Sequence, residues 1–104
     1  MKFETIKSRQ DILKSRRMAE KTIQGEYVFV IFTRNTLDKI RFLPVVTKKI
    51  NKRAVIRNKY RRRIKEIFRK MECKDGFDYQ IIAKSLISKS DFKGLKKDIE
   101  KCFV

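Results

Sequence analysis

Three runs of apolar residues predict β-strands. Residues 26–33, EYVFVIFT, are β-branched or aromatic almost throughout, which is typical of a strand buried on both faces. Residues 39–47, KIRFLPVVT, predict a second strand, and residues 77–83, FDYQIIA, predict a third. Because Pro44 has no N–H to donate to a ladder, the second strand is expected at an edge of the sheet or with a bulge.

Helix starts are predicted at three places outside these runs. Ser8, followed three positions later by an acidic residue, predicts a first helix over residues 9–19. Asn51 is the predicted N-cap of a long helix over residues 52–71. Ser88 is also followed three positions later by an acidic residue, and it predicts the start of a final helix.

The predicted order of elements is helix–strand–strand–helix–strand–helix. A chain of 104 residues suits one hydrophobic core and leaves no room for two. We therefore expect a single domain over residues 1–104, of the α+β class, built as an α–β sandwich around a small mixed sheet.

Composition adds a polyanionic partner to this picture. The chain has 29 Lys and Arg against 12 Asp and Glu, a net charge of +17, and it has no His. Such a balance implies nucleic acid first and an anionic membrane surface second. The missing His removes the commonest general base and the commonest zinc ligand.

Cysteine spacing and hydropathy favour a protein of the reducing cytoplasm. Cys73 and Cys102 form no Cys-x-x-Cys pair, which argues against a zinc or dithiol site and favours small apolar fillers. The longest apolar run, residues 27–32, is far shorter than the roughly 20 residues of a membrane span. The first ten residues have no apolar signal-peptide core. We expect a cytoplasmic protein with no membrane partner and no metal site.

Positive charge is concentrated in residues 48–70, where twelve of 23 residues are Lys or Arg and Glu66 alone is acidic. On a helical wheel the apolar residues form one stripe, and the solvent side is almost uniformly positive. Arg57, Arg61 and Lys65 follow one another at i, i+4 spacing, where each like-charge pair costs ~0.2–0.5 kcal/mol. The N–H groups at the start of such a helix also favour anions. A phosphate-binding surface explains this segment better than an ordinary solvated face does.

Residues 45–69, VVTKKINKRAVIRNKYRRRIKEIFR, resemble the signature of the bacterial ribonuclease P protein subunit. That signature is a strand ending in Val-Ser/Thr-Lys-Lys, then Lys-Arg-Ala, then Arg-Asn-Arg-x-Lys-Arg-x-x-Arg-Glu on a helix. The matching residues are Val46-Thr47-Lys48-Lys49, Lys52-Arg53-Ala54 and Arg57-Asn58-Lys59-x-Arg61-Arg62-x-x-Lys65-Glu66. Length, basicity and element order agree with the family over essentially the whole chain.

The resemblance implies a function and one unusual feature of the fold. By it, the protein pairs with a catalytic RNA and assists the removal of the 5′ leader from precursor tRNA, a hydrolysis that the RNA performs with bound Mg²⁺. The protein would be the non-catalytic component of an endoribonuclease, with no catalytic side chain and no required protein partner. The family's sandwich contains a left-handed βαβ crossover, against the general right-handed rule.

The resemblance also assigns two binding surfaces. Nine residues of the matched segment would face RNA: Lys48, Lys49, Lys52, Arg53, Arg57, Asn58, Arg61, Arg62 and Lys65. A separate cleft between the first helix and the sheet would hold the single-stranded leader, lined by Ile12, Arg16, Val28 and Val30. The alternate residues of the first strand, Tyr27, Phe29 and Ile31, are then expected in the core.

The first helix departs from the family pattern. The family commonly has Asp-Phe there, with another aromatic or apolar residue four positions later, whereas this chain has Asp11-Ile12 and Arg16. Base stacking on an aromatic ring is worth ~1–3 kcal/mol, and Ile12 cannot stack in that way. We hypothesise that Arg16 binds a leader phosphate or lies flat on a base.

Three other functions fit parts of the sequence. A ribosomal or other basic RNA-binding module with no processing role shares the composition but not the signature. A DNA-binding helix-turn-helix needs two helices joined by a short turn, whereas the basic helix lies between predicted strands. A binder of anionic membranes could use the basic helix, but the aromatics are spread along the chain as core strands require.

Overall fold

One mixed five-stranded sheet carries the whole fold. The computed structural model describes residues 1–103. The elements are β1 (Glu4–Thr5), α1 (Arg9–Arg17), β2 (Lys21–Gln24), β3 (Val28–Arg34), β4 (Arg41–Val45), α2 (Ala54–Arg69), β5 (Phe77–Ala83) and α3 (Phe92–Cys102), with a 3₁₀ helix at Ser85–Lys89. The α+β class and the order of the three predicted strands and three predicted helices are confirmed.

The strand order in the sheet is β1-β4-β5-β3-β2. The central strand β5 pairs in parallel with β4 and antiparallel with β3. Because β4 and β5 are parallel neighbours, the chain must cross over between them, and α2 makes that crossover. The basic helix is therefore held at both ends by strands of the same sheet.

The two faces of the sheet are covered by different helices. Helices α2 and α3 pack on one face, where the aromatic rings of Phe42 and Phe68 stack with centroids 4.1 Å apart. Helix α1 lies on the other face, where Thr33 of β3 donates a hydrogen bond to the Ser15 carbonyl. The large core lies on the α2–α3 side, and the α1 side is only partly covered.

The predicted faces of β3 were wrong. Val28 and Val30 are fully buried in the core under α2 and α3, so they cannot line a cleft beside α1. Phe29 and Ile31 lie on the α1 face instead, since Ile31 pairs with Gln80, which contacts α1. Of the three residues expected in the core, Tyr27 packs against that core cluster, Ile31 is buried but on the α1 face, and Phe29 is half-buried. A strand that is apolar on both faces has no alternation from which its orientation can be predicted.

Helix starts were predicted with mixed success. The Ser8 hydroxyl accepts the Asp11 N–H at 3.0 Å, as expected for the N-cap of α1. Helix α2 is capped at Arg53 rather than Asn51, because the Asn51 side chain accepts the Arg53 N–H (2.9 Å) and forms a turn before the helix. Helix α3 is capped by Asp91, which accepts the Gly94 N–H at 2.7 Å. Ser88 lies in the preceding 3₁₀ helix.

The edge position expected for the strand that holds Pro44 was wrong, because β4 lies between β1 and β5 in the sheet. A proline fits there because the pairing of β1 with β4 ends at Phe42, so Pro44 has no partner residue in β1. Strands β1 and β2 were not predicted, since they have two and four residues and Ile23 is their single apolar residue. Within the same residues, no helix combines the length and the apolar character needed to span a membrane.

Candidate RNA-binding surface

A groove of about 450 Å³ lies where α1, the end of β4 and the start of α2 meet. Its floor is apolar and its rim is basic. The lining residues are Ile12, Arg16, Leu43, Pro44, Val45, Val46, Thr47, Lys48, Arg57 and Arg61. Two of them belong to the predicted leader cleft and three to the nine predicted RNA-facing residues, so the structure joins two surfaces that the sequence treats as separate.

Arg57 and Arg61 are held in place by main-chain carbonyls. Arg57 Nη1 donates to the Asn51 and Lys52 carbonyls at 3.1 and 2.8 Å. Arg61 Nη2 donates to the Val46 carbonyl at 2.9 Å, and its Nη1 to Asn58 Oδ1 at 2.8 Å. These bonds tie the loop between β4 and α2 to the helix. Both guanidinium groups are therefore fixed before any anion arrives, which lowers the entropy lost on binding.

Arg16 reaches the groove from α1. Its Nε donates to Gln80 Oε1 at 2.8 Å, and Gln80 Nε2 donates to the Ile12 carbonyl at 3.1 Å. Gln80 is fully buried in β5, whereas the Arg16 side chain remains exposed. Ile12 and Arg16 thus lie in the groove as predicted from the sequence, but the residue that joins them to the sheet was not predicted.

The other predicted RNA-facing residues lie on exposed surface outside the groove lining. They are Lys49, Lys52, Arg53, Asn58, Arg62 and Lys65. Lys49, Lys52 and Arg53 surround the start of α2, where free N–H groups favour anions. Arg62 and Lys65 extend the positive surface along the helix, so the groove opens onto a continuous basic surface.

A buried ion pair fixes α1 on the sheet beside the groove. Arg41 Nε and Nη2 donate to the two oxygens of Asp78 at 2.8 and 2.7 Å, and Arg41 Nη1 donates to Asp11 of α1 at 3.2 Å. Burial raises the pKa of Asp78, but hydrogen bonds from Arg41 and Asn35 and the Arg41 charge outweigh it, so that pKa lies below its ordinary value. The carboxylate therefore stays charged at neutral pH and holds the Arg41 side chain that contacts Asp11 of α1.

Sequence patterns could have indicated these supporting residues. Asp78 and Gln80 are the polar positions of the otherwise apolar run FDYQIIA, and a polar residue inside a central strand needs a buried partner. The partners Arg41 and Arg16 lie 37 and 64 positions away, so the pairing itself depends on the fold.

The side chains of this surface are suited to binding a nucleic acid. Within residues 1–103, no three His, Cys, Asp or Glu side chains are arranged to hold a metal ion. Fixed guanidinium groups over an apolar floor suit the phosphates and bases of a flexible nucleic-acid strand. By fold and site, the protein is in the class of α–β RNA-binding proteins.

Comparison with known proteins identifies the family within that class. A family model described as Ribonuclease P matches residues 1–104. A ribonuclease P protein component from Thermotoga petrophila is 38% identical over 87 residues, covering 82% of this chain and 73% of the relative. Another, from Syntrophomonas wolfei, is 35% identical over 80 residues, covering 75% of this chain and 66% of the relative.

A solved structure agrees with these relatives. The RNase P protein from Thermotoga maritima superposes with a TM-score of 0.82 at 29% identity, covering 96% of this chain and 94% of that one. The chain belongs to the ribonuclease P protein family. Its role is that of the protein component of an endoribonuclease whose catalytic role lies in the RNA, so ribonuclease P RNA is its partner.

Proposed function

We propose that this protein binds ribonuclease P RNA through the basic surface of α2 and holds the 5′ leader of precursor tRNA in the groove beside α1. In this way it assists the endonucleolytic removal of the leader. The observation that carries the proposal is the groove itself, because Arg16 of α1 and Arg57 and Arg61 of α2 line one continuous channel.

The two parts of the surface suit two kinds of contact. The exposed cations around the start of α2 present flexible charge, which suits the irregular phosphates of a folded RNA. The groove has fixed guanidinium groups beside the apolar side chains of Ile12, Leu43 and Val45, which suits a flexible single strand with separate phosphates and bases. The proposed RNA-contacting residues are Lys48, Lys49, Lys52, Arg53, Arg57, Asn58, Arg61, Arg62 and Lys65, with Ile12 and Arg16 on the leader.

Magnesium belongs to the RNA in this proposal. The chain lacks a fitting carboxylate cluster in the part that the structure describes, so Mg²⁺ would be held mainly by the RNA subunit and the substrate. The contribution of the protein is positive charge near those phosphates, which lowers the concentration of divalent cation that the complex needs.

The experiment that tests this function is cleavage of a 5′-extended precursor tRNA at low Mg²⁺. The reactions contain a bacterial ribonuclease P RNA alone, the protein alone, or both. We expect cleavage in the mixture alone. A Lys52→Gln/Arg62→Gln variant should lower the stimulation at limiting protein, because both exposed side chains lie on the proposed RNA surface and neither lines the groove.

A matched control uses the same change of charge on another helix. Lys96→Gln/Lys97→Gln removes two exposed cations from α3 and should leave the stimulation nearly unchanged. Tight, salt-sensitive RNA binding with no stimulation of cleavage would contradict the proposal. That result would favour a basic RNA-binding module with no processing role.

A further inference from the structure

Gln80 is a polar side chain in the middle of the sheet, and it is fully buried. On β5 it lies between Ile31 of β3 and Leu43 of β4. Its Nε2 donates to the Ile12 carbonyl (3.1 Å) and its Oε1 accepts from Arg16 Nε (2.8 Å). Both ends of the amide are used, so neither can turn away without leaving a buried polar atom unpaired.

The bond to Gln80 sets the orientation of Arg16. An N–H bond lies in the plane of the guanidinium group, so this plane contains the line from Arg16 Nε to Gln80. The Nε edge faces the buried amide, and the edge with the two terminal nitrogens faces away from it. That free edge can donate two parallel hydrogen bonds to the oxygens of one phosphate. A base lying flat would instead contact the planar face of the guanidinium group.

The rest of the groove supports the same mode of binding. Among the described residues that line it there is no aromatic ring on which a base could stack. The lining instead brings Arg16 together with Lys48, Arg57 and Arg61. Charge, rather than stacking, is the dominant source of affinity that these side chains can supply.

We infer that Gln80 is a positioning residue that locks Arg16, and that the groove binds the single-stranded leader through its phosphates, with little dependence on base identity. The inference rests on the proposed function, since it assumes that the leader occupies the groove. A phosphate of the RNA subunit is the other source of the same ligand chemistry, and the experiment separates the two.

The first arm measures binding of precursor tRNAs to the holoenzyme. One precursor has an ordinary leader, one has neutral methylphosphonate linkages in the leader, and one has abasic sites at the same positions. We expect the neutral linkages to weaken binding about tenfold and the abasic sites to change it less than about twofold. The reverse order of effects would overturn the inference.

The second arm tests Gln80 through Arg16. Arg16→Ala should weaken binding of the ordinary precursor about tenfold, and Gln80→Leu about threefold, because the guanidinium group then has to be ordered on binding. The double variant should bind no more weakly than Arg16→Ala, since Gln80 acts through that side chain. Losses that multiply would show a merely structural role and overturn the assignment of Gln80.

Two controls guard these measurements. Arg17→Ala removes an exposed arginine of the same helix that does not line the groove, and it should leave binding unchanged. Thermal unfolding of each variant checks that it is folded. If Gln80→Leu does not fold, Gln80→Met replaces it, with the same expected non-additivity.

A precursor with a one-nucleotide leader identifies the source of the phosphate. Such a substrate has too little leader to occupy the groove, so Arg16→Ala should not affect its binding. An equal loss with this substrate would assign the phosphate to the RNA subunit and overturn leader binding by Arg16. If the wild-type protein stimulates cleavage of neither this substrate nor the long-leader one, the proposed function itself fails.

Discussion

At the scale of single residues, buried carboxylates fix the positions of particular arginine side chains. Asp78 is 2% exposed and accepts two hydrogen bonds from Arg41, which in turn holds Asp11 of α1. Exposed pairs such as Lys39 with Glu4 (3.1 Å) contribute far less, because water and salt screen them. The buried pair therefore fixes the Arg41 side chain, which reaches α1 through the half-exposed Asp11.

Replacing Arg41 with Met should destabilise the protein by about 3 kcal/mol at pH 7.5, since it leaves the buried Asp78 carboxylate without its charged partner. In the wild type the lowered pKa of Asp78 contributes stability that is present at neutral pH and is lost as the pH falls through that pKa. In the variant the hydrogen bonds and charge of Arg41 no longer lower this pKa, so the Asp78 carboxyl protonates more readily than in the wild type and the deficit should shrink between pH 7.5 and pH 5. Urea unfolding at both pH values measures it.

The control for this prediction is the exposed pair. Lys39→Met should cost no more than ~1 kcal/mol, because both partners are solvent-accessible. A deficit of Arg41→Met that stays the same at both pH values would mean that the buried carboxylate is not what destabilises the variant.

The thiol of Cys73 should be unreactive. Burial, followed by the nearby charge of Glu72, raises its pKa from 9.0 to about 11, so the thiolate is scarce at pH 8. We expect alkylation by iodoacetamide to be about 100-fold slower in the folded protein than in urea, in line with the smaller thiolate fraction. Peptide mapping separates Cys73 from the buried Cys102. Rapid labelling of folded Cys73 would show that this pKa is not raised.

At the scale of elements, Asp98 joins α3 to the start of β3. Its carboxylate accepts the N–H groups of Glu26, Tyr27 and Val28 at 2.7, 2.8 and 3.2 Å. Gly25 precedes them, and a Cβ there would lie 2.5 Å from Asp98 Oδ2. The glycine is needed for this close approach, because the carboxylate occupies the space that any side chain would use.

The close approach predicts coupling between the two positions. Asp98→Ala should cost about 3 kcal/mol or more, since it leaves three N–H groups without their acceptor. Gly25→Ala should cost about 1–3 kcal/mol through the steric contact. The double variant should lose less than the sum, because the added methyl group then has room. A double-mutant cycle of urea unfolding measures the coupling, and strict additivity would contradict it.

The elements also show how far sequence reasoning extends. The bounds of β5 were predicted as observed, because Phe77–Ala83 is a strongly apolar run directly after a glycine. β1 and β2 were missed because their pairing partners, rather than their own residues, make them strands. The basic residues of the groove and of α2 were predicted because most of them are close together in the sequence, within residues 48–70. Gln80 was not found, because its role depends on an arginine 64 positions away.

At the scale of the whole molecule, charge is the dominant property. With 29 cations against 12 acids, and acids such as Asp78 and Asp98 used in internal contacts, the outer surface keeps a strong positive field. That field attracts RNA and also destabilises the folded chain through self-repulsion. Salt should therefore act on stability and on binding in opposite directions.

Raising NaCl from 20 to 300 mM should raise the Tm of the free protein by about 5 °C, because screening removes roughly 1 kcal/mol of repulsion. The same change should weaken RNA binding with a log–log slope of about −5. Lys52→Gln/Arg62→Gln should reduce the size of that slope by more than one, whereas Lys96→Gln/Lys97→Gln should leave it unchanged. Calorimetry and filter binding measure the two effects. A Tm that falls with added salt would rule out net self-repulsion.

The central position of β5 has a consequence for how the protein is made. Its neighbours β3 and β4 come earlier in the chain, and each has an edge that pairs with residues 77–83. During synthesis the basic segment of residues 48–70 therefore leaves the ribosome before the strand that completes its sheet. Until residues 77–83 are synthesised, the highly charged segment before them is exposed to cellular RNA without a complete sheet. The synthesis of β5 is therefore the step that allows folding to finish.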